Sequence, residues 1–264
     1  MNQYINFRGK KIHYTADGKG EAIVLVHGFT ESLAIWNEFS KRLSENYQVV
    51  CIDLPGHGLS DCVAEIHTME LMAECVVTIL ESLKINKSVI VGHSMGGYVS
   101  LAFAEKFSEM LKGLCLFHSS AYADNSEVKQ NRYRTNEVIK EHHQNFLSSF
   151  IPSLFAPKNQ EKYASEIAAL VDSSKKMSAD GVIACNCGMA KRSDRCHVLK
   201  NLKIPVLFIA GKLDSRIPFD KVLEQIAMPN DTVALLLGDI AHMGYIEAKE
   251  KTYYAVKTFV DGCF

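Results

Sequence analysis

The sequence predicts an α/β fold: a mostly parallel sheet covered by helices, with a helical unit inserted into it. Three observations predict it. Short β-branched runs alternate with helical patterns through the first half, the alternation resumes after about residue 204, and the stretch between carries no strand pattern.

Strand-length runs lie at residues 3–7, 11–15, 22–26, 48–52, 88–91 and 113–117, the first entering a turn at Arg8-Gly9. Between the fourth and fifth, Leu71, Met72, Cys75, Val76, Ile79, Leu80 and Leu83 recur at helical spacing and form one apolar stripe, which predicts a helix packed on the sheet. Residues 97–107 read as a second helix. Residues 123–195 read as helical throughout, rich in Lys, Glu, Gln and Asn, with breaks at Pro152, Pro157 and Asp180-Gly181. Strand patterns return at 204–210 and 233–237, with helices from about Phe219 and over 247–260.

At 264 residues, 47% hydrophobic and 22% charged, the chain has the composition of a globular protein, which excludes a disordered or collagen-like one. Lys plus Arg is 29 against 30 Asp plus Glu, and a net charge of −1 supplies no field to draw the chain onto nucleic acid or an anionic bilayer. The expected partner is a small-molecule substrate, with no nucleic acid and no membrane. No apolar run approaches the roughly 18 residues of a membrane span. The first residues lack the basic-then-apolar pattern of a signal peptide, so a cytoplasmic protein is expected. Eight scattered cysteines suit reduced core thiols. Cys185, Cys187, Cys196 and His197 offer four metal ligands, but at a spacing that matches no common zinc pattern, so neither a metal nor a cofactor is expected. The pattern is silent on oligomeric state.

The most specific signal is Gly92-His93-Ser94-Met95-Gly96, directly after a strand run and directly before a helical one. A nucleophile in so sharp a turn sits in a strained conformation, and Gly92, Gly96 and Gly97 let helix and strand approach each other. A serine hydroxyl needs a base within hydrogen-bond reach and a carboxylate to orient that base. Among ten histidines, His242 lies in the loop after the last strand, where a side chain reaches the carboxyl edge of a parallel sheet. Asp214, just past the strand at 204–210, is the expected acid; Asp124 is its rival, and Asp239 is too close to His242 along the loop. The N–H of Met95, after the serine, and that of Phe29, in His27-Gly28-Phe29 after the third strand, are the candidate oxyanion donors. The Phe29 ring is expected to line the pocket, while Tyr122, Phe146, Phe150 and Phe155 either line an apolar acyl pocket or pack the insert on itself. Arg132, Arg134, Arg192 and Arg195 either grip an acidic substrate or lie solvated.

In four segments the chain resembles the α/β-hydrolase superfamily: His27-Gly28-Phe29, Asp53-Leu54-Pro55-Gly56-His57-Gly58-Leu59-Ser60, Gly92 to Gly97, and Gly211 to Asp214 with His242. The resemblance spans the whole chain except the insert. It implies an eight-stranded sheet, a core of residues 1–121 and 197–264, and a helical cap over the site at 122–196. It also implies a structural rather than chemical role for the segment from Asp53 to Ser60. The serine sets the chain apart from the haloalkane dehalogenase and epoxide hydrolase branches, which carry aspartate at the elbow. Tyr98 replaces the arginine of menaquinone-pathway lyases, and Ala241 the glycine usual before the histidine. The expected function is a serine hydrolase of a small carboxylic ester or thioester. The alternatives are a carbon–carbon bond hydrolase or lyase using the same residues, and a small-molecule receptor.

Overall fold

Strand faces alternate in the computed structural model, which describes residues 2–264, and the period of two builds a core on each side of one sheet. The strands are β1 (Asn2–Phe7), β2 (Lys10–Asp17), β3 (Ala22–Val26), β4 (Gln48–Ile52), β5 (Ser88–His93), β6 (Leu111–Phe117), β7 (Val206–Gly211) and β8 (Thr232–Leu237), in the spatial order β1-β2-β4-β3-β5-β6-β7-β8. β1 pairs antiparallel with β2 and β2 with β4; all later pairings are parallel. The central strands β3, β5 and β7 are buried throughout and β6 is buried except at Lys112, which is why they read as largely apolar runs.

Helices cover both faces. The chain forms α1 (Asn37–Leu43), α2 (Met69–Ser82) and α3 (Met95–Lys106) in the first half, and α8 (Phe219–Ile226), α9 (Gly244–Glu247) and α10 (Lys249–Cys263) in the last part. Val24, Ile90, Leu114 and Phe208 point into a core shared with α2, α3 and α8. Leu25, Val89, Phe117 and Leu207 point the other way, into a core shared with α1 and α10. Between β6 and β7 run α4 (Ser126–Phe150), α5 (Ala164–Ser174), α6 (Ala179–Lys191) and the short α7 (Cys196–Asn201). Non-helical backbone at His142 (φ −138°, ψ 44°) divides α4.

The structure refines the sequence reading in three places. Asp180-Gly181 does not break a helix but lies in the first turn of α6, where Ser178 Oγ accepts the Gly181 N–H at 3.1 Å. Glycine is required there by close approach: a Cβ at 181 would stand 2.6 Å from the Gly56 carbonyl oxygen. The helix expected over 247–260 is α10, which starts two residues later because Ala248 leaves helical geometry (φ −140°, ψ 40°) and separates it from the short α9. The 3-10 turn Leu33–Trp36 and α1 were not read from the sequence, being too short for a periodic stripe; their apolar side chains nonetheless fill a core. No helix among the described residues is long and apolar enough to cross a membrane.

Trp36 is the single tryptophan, fully buried, with ring centroids 5.4 Å from Phe39 and 5.8 Å from Phe117. We expect Phe117→Ala to lower unfolding free energy by about 3–5 kcal/mol, measured by urea titration of Trp36 fluorescence.

Candidate active site

β5 ends at His93, α3 begins at Met95, and Ser94 occupies the turn between them with φ 51° and ψ −115°. That left-handed φ is costly for a residue with a Cβ, and its surroundings impose it. The Ser94 N–H donates to the Phe117 carbonyl (2.9 Å), while the Ser94 carbonyl accepts the Gly97 N–H (2.9 Å) and the Ser119 hydroxyl (2.7 Å). Gly96 makes the turn possible, since a Cβ there would collide with the Val26 carbonyl at the end of β3.

Ser94 Oγ donates to His242 Nε2 at 2.8 Å, and His242 Nδ1–H donates to Asp214 Oδ2 at 2.8 Å. Asp214 follows β7, and its other oxygen accepts the N–H groups of Arg216 (2.8 Å) and Ile217 (3.0 Å). Burial pushes its carboxyl up, but the charge of His242 and hydrogen bonds from His118 and His242 outweigh that and hold it below the usual carboxylate range. His118, at the end of β6, gives its Nδ1–H to the same Oδ2 at 3.2 Å. Burial pulls His118 down to about 4, so it is neutral near pH 7 with its one ring proton on that bond. Asp214, His118 and His242 are the only His, Cys, Asp and Glu side chains among the described residues grouped closely enough to share a cation, and their mutual hydrogen bonds account for the grouping.

A second buried relay lies alongside. His93 Nδ1–H donates to Glu31 Oε2 (2.8 Å) and Nε2–H to the His242 carbonyl (3.0 Å). With both nitrogens donating, the ring is an imidazolium. Burial pulls its pKa down, yet the charge and hydrogen bond of Glu31 outweigh this and raise it. Glu31 also accepts the Gly28 N–H (2.6 Å) and the Tyr245 hydroxyl (2.9 Å). Burial pushes Glu31 up, but the charge and hydrogen bonds around it hold it at about 2.

Ser94, His242 and Phe29 face a cavity of about 610 Å³. Phe146 and Phe150 of α4 line it too, stacked at 5.2 Å, with Phe150 edge-on to Phe29 at 5.8 Å. Tyr122, expected in the pocket, is not among the lining residues; its hydroxyl reaches outward to Glu224 of α8 at 2.7 Å. Phe155 is buried in the α1/α10 core instead. Among the described residues neither the Phe29 nor the Met95 N–H has an acceptor within the chain, the latter as a first-turn group of α3. Asp124 is not near His242 but pairs with Arg132 (2.5 Å) and Arg192 (2.7 Å). Of the four arginines singled out, Arg132 lines the cavity; Arg134 bonds Asn131 on the surface, and Arg195 pairs with Glu70 and Glu105. Cys185 turns to His67 (3.2 Å), Cys187 to Asn136 (3.1 Å), Cys196 to Asp194 (3.7 Å) and His197 to Glu105 (3.0 Å), so these four do not converge.

Across residues 21–249 the sequence matches the family model of the alpha/beta hydrolase fold. The chain belongs to that family. An esterase of Thermogutta terrifontis, solved with malate bound, is similar to this alpha/beta hydrolase over 100% of this chain and 99% of its own, at 27% identity and a TM-score of 0.93. The (E)-2-((N-methylformamido)methylene)succinate hydrolase of Acinetobacter baylyi is 22% identical over 94% of each chain. The uncharacterized hydrolase YugF of Bacillus subtilis is 36% identical over 115 residues, a match spanning 43% of this chain and 42% of that protein.

Two parts of this alpha/beta hydrolase's site were missed in the sequence. His118 directly follows an apolar strand, as Asp214 nearly does, and the same strand-end rule points to it. Glu31 and His93 left no signal, because only folding brings together residues 62 apart in sequence. The segment after β4 is structural in geometry: Asp53 accepts from His13 (2.7 Å), Leu33 N–H (2.7 Å) and Leu59 N–H (2.9 Å).

Burial holds His57 at about 3 and His67 and His118 at about 4, against an ordinary 6.5. Below pH 6.5 the unfolded chain therefore takes up protons that the folded chain refuses, and stability falls as pH drops towards 4. Glu31, at about 2 against an ordinary 4.5, adds a loss between those values. His93 acts in reverse, its contribution complete below 6.5 and lost as pH rises through its raised pKa. We expect urea midpoints to decline from pH 6.5 to 4, and His118→Asn to flatten that slope by up to about 1.4 kcal/mol per pH unit. An unchanged slope would mean that His118 is already protonated in the folded protein.

Proposed function

We propose that this protein is a serine hydrolase that cleaves a small carboxylic ester or thioester through an acyl-enzyme, with residues 122–196 acting as a cap over the site. The observation that carries this reading is the unbroken relay from Ser94 Oγ through His242 to Asp214, each step 2.8 Å, opening onto the cavity. The likeness to an esterase along the whole chain supports it. The eight free thiols suit the reducing cytoplasm.

In this reading Ser94 Oγ attacks the carbonyl carbon as His242 Nε2 takes its proton, and Asp214 holds the imidazole in the tautomer that can accept it. The Phe29 and Met95 N–H groups receive the oxyanion, a contribution of about 2.7–4 kcal/mol for each well-aimed donor. Collapse expels the alcohol or thiol, which takes the proton back from His242. Water then attacks the Ser94 ester with His242 again as base, and His242 returns that proton to Ser94 Oγ as the C–O bond breaks and the acid is released. His118, through its N–H on Asp214, keeps that carboxylate ionised beside the imidazolium.

Hydrolysis of a chain-length series of p-nitrophenyl esters tests the proposal. Wild type is expected to cleave short esters and to gain one phosphonate adduct at Ser94 by intact mass. Ser94→Ala is expected to lose the adduct and all but about 10⁻³ to 10⁻⁶ of turnover. Undiminished turnover in Ser94→Ala would end this reading.

A further inference from the structure

One guanidinium lining the cavity forms no ion pair among the described residues. Arg132 shares the Asp124 carboxylate (2.5 Å) with Arg192 (2.7 Å), and Glu31 is neutralised by His93 (2.8 Å). Arg216 also lines the cavity, yet among the described residues no carboxylate oxygen lies within 4.0 Å of its side chain. Its placement is nonetheless firm at both ends. The backbone N–H donates to Asp214 Oδ1 (2.8 Å), so the main chain is set by the carboxylate that orients His242. At the other end Nη2–H donates to Ser153 Oγ (2.6 Å), and the guanidinium lies over the Phe150 ring, 4.9 Å from its centroid. A neutral hydroxyl and a π face hold this partly solvent-exposed guanidinium in position without pairing its charge, which the Asp214 carboxylate offsets only from beyond ion-pair distance. A planar donor fork so placed beside an apolar wall matches a carboxylate.

We propose that Arg216 anchors a carboxylate of the substrate, so that the molecule cleaved at Ser94 is an ester whose short acyl chain ends in a free carboxylate: a monoester of a small dicarboxylic acid. This rests on the serine-hydrolase reading. Water is the co-reactant, the acyl C–O bond is the one broken, and the products are the dicarboxylate and the alcohol. Arg216 is a specificity residue that touches the far end of the substrate, away from the reacting carbonyl.

The test compares monoethyl succinate, glutarate and adipate with chain-matched neutral ethyl esters, as the ratio of kcat/KM within each of wild type, Arg216→Met and Arg216→Lys. Because the ratio is taken within one preparation, partial unfolding of a variant does not move it. Wild type is expected to prefer the carboxylate esters at least tenfold, mainly through KM, with the ratio near one in Arg216→Met and partly kept in Arg216→Lys. A ratio near one in wild type, or a preference that survives Arg216→Met, overturns the proposal. Calorimetric binding of monoethyl glutarate to Ser94→Ala separates the two readings. Arg216-dependent binding without turnover in wild type keeps the carboxylate subsite and sinks the hydrolase; cleavage of all esters without charge preference does the opposite.

Discussion

A buried carboxylate–imidazolium pair, Glu31 with His93, holds the geometry of the site together. Its hydrogen bonds reach three separate loops: Gly28 after β3, the elbow after β5, and the carbonyl of His242 after β8. Tyr245 adds a fourth tie from α9. Removing either charge would leave the other buried and uncompensated, a far larger disturbance than the loss of a surface pair. The Ser94 relay is thus built on a frame of its own kind, one carboxylate–histidine couple positioning the loops on which a second one sits.

The fold was legible wherever burial imposes a period. The inner strands were readable because the sheet alternates their side chains between two apolar layers, the edge strands β1 and β8 by their β-branched and apolar content despite exposed faces, and α2 because one stripe faces the core. Short elements escaped. The turn at Leu33–Trp36 and α1 carry too few apolar positions to show a stripe, and the Asp180-Gly181 pair mimics a break because close packing on Gly56 and a turn call for the same residue.

At the site, Ser94, Asp214 and His242 were readable as residues at the ends of strands, where the topology gathers side chains along one edge of a parallel sheet. Contacts between distant segments were not. Tyr122 has the composition of a pocket residue and lies outside it, since aromatic character says that a ring is covered but not by what. Arg216 carries no distinguishing pattern in the sequence, although it sits two residues from Asp214, because its partners Ser153 and Phe150 lie more than sixty residues away along the chain.

The insert between β6 and β7 contributes to both core layers: Ile139, Val182 and Met189 to one, Ile151, Leu154 and Ile167 to the other. The same stretch supplies Phe146, Phe150 and Ser153 to the wall of the cavity. Changes that reshape the cavity are therefore drawn from a segment whose neighbours hold up the fold, and few of them are free of a stability penalty. Lineages of this protein that shift towards new ligands are expected to do so in small steps at the cavity-facing positions, with compensating changes nearby in the core, rather than by exchange of the whole insert.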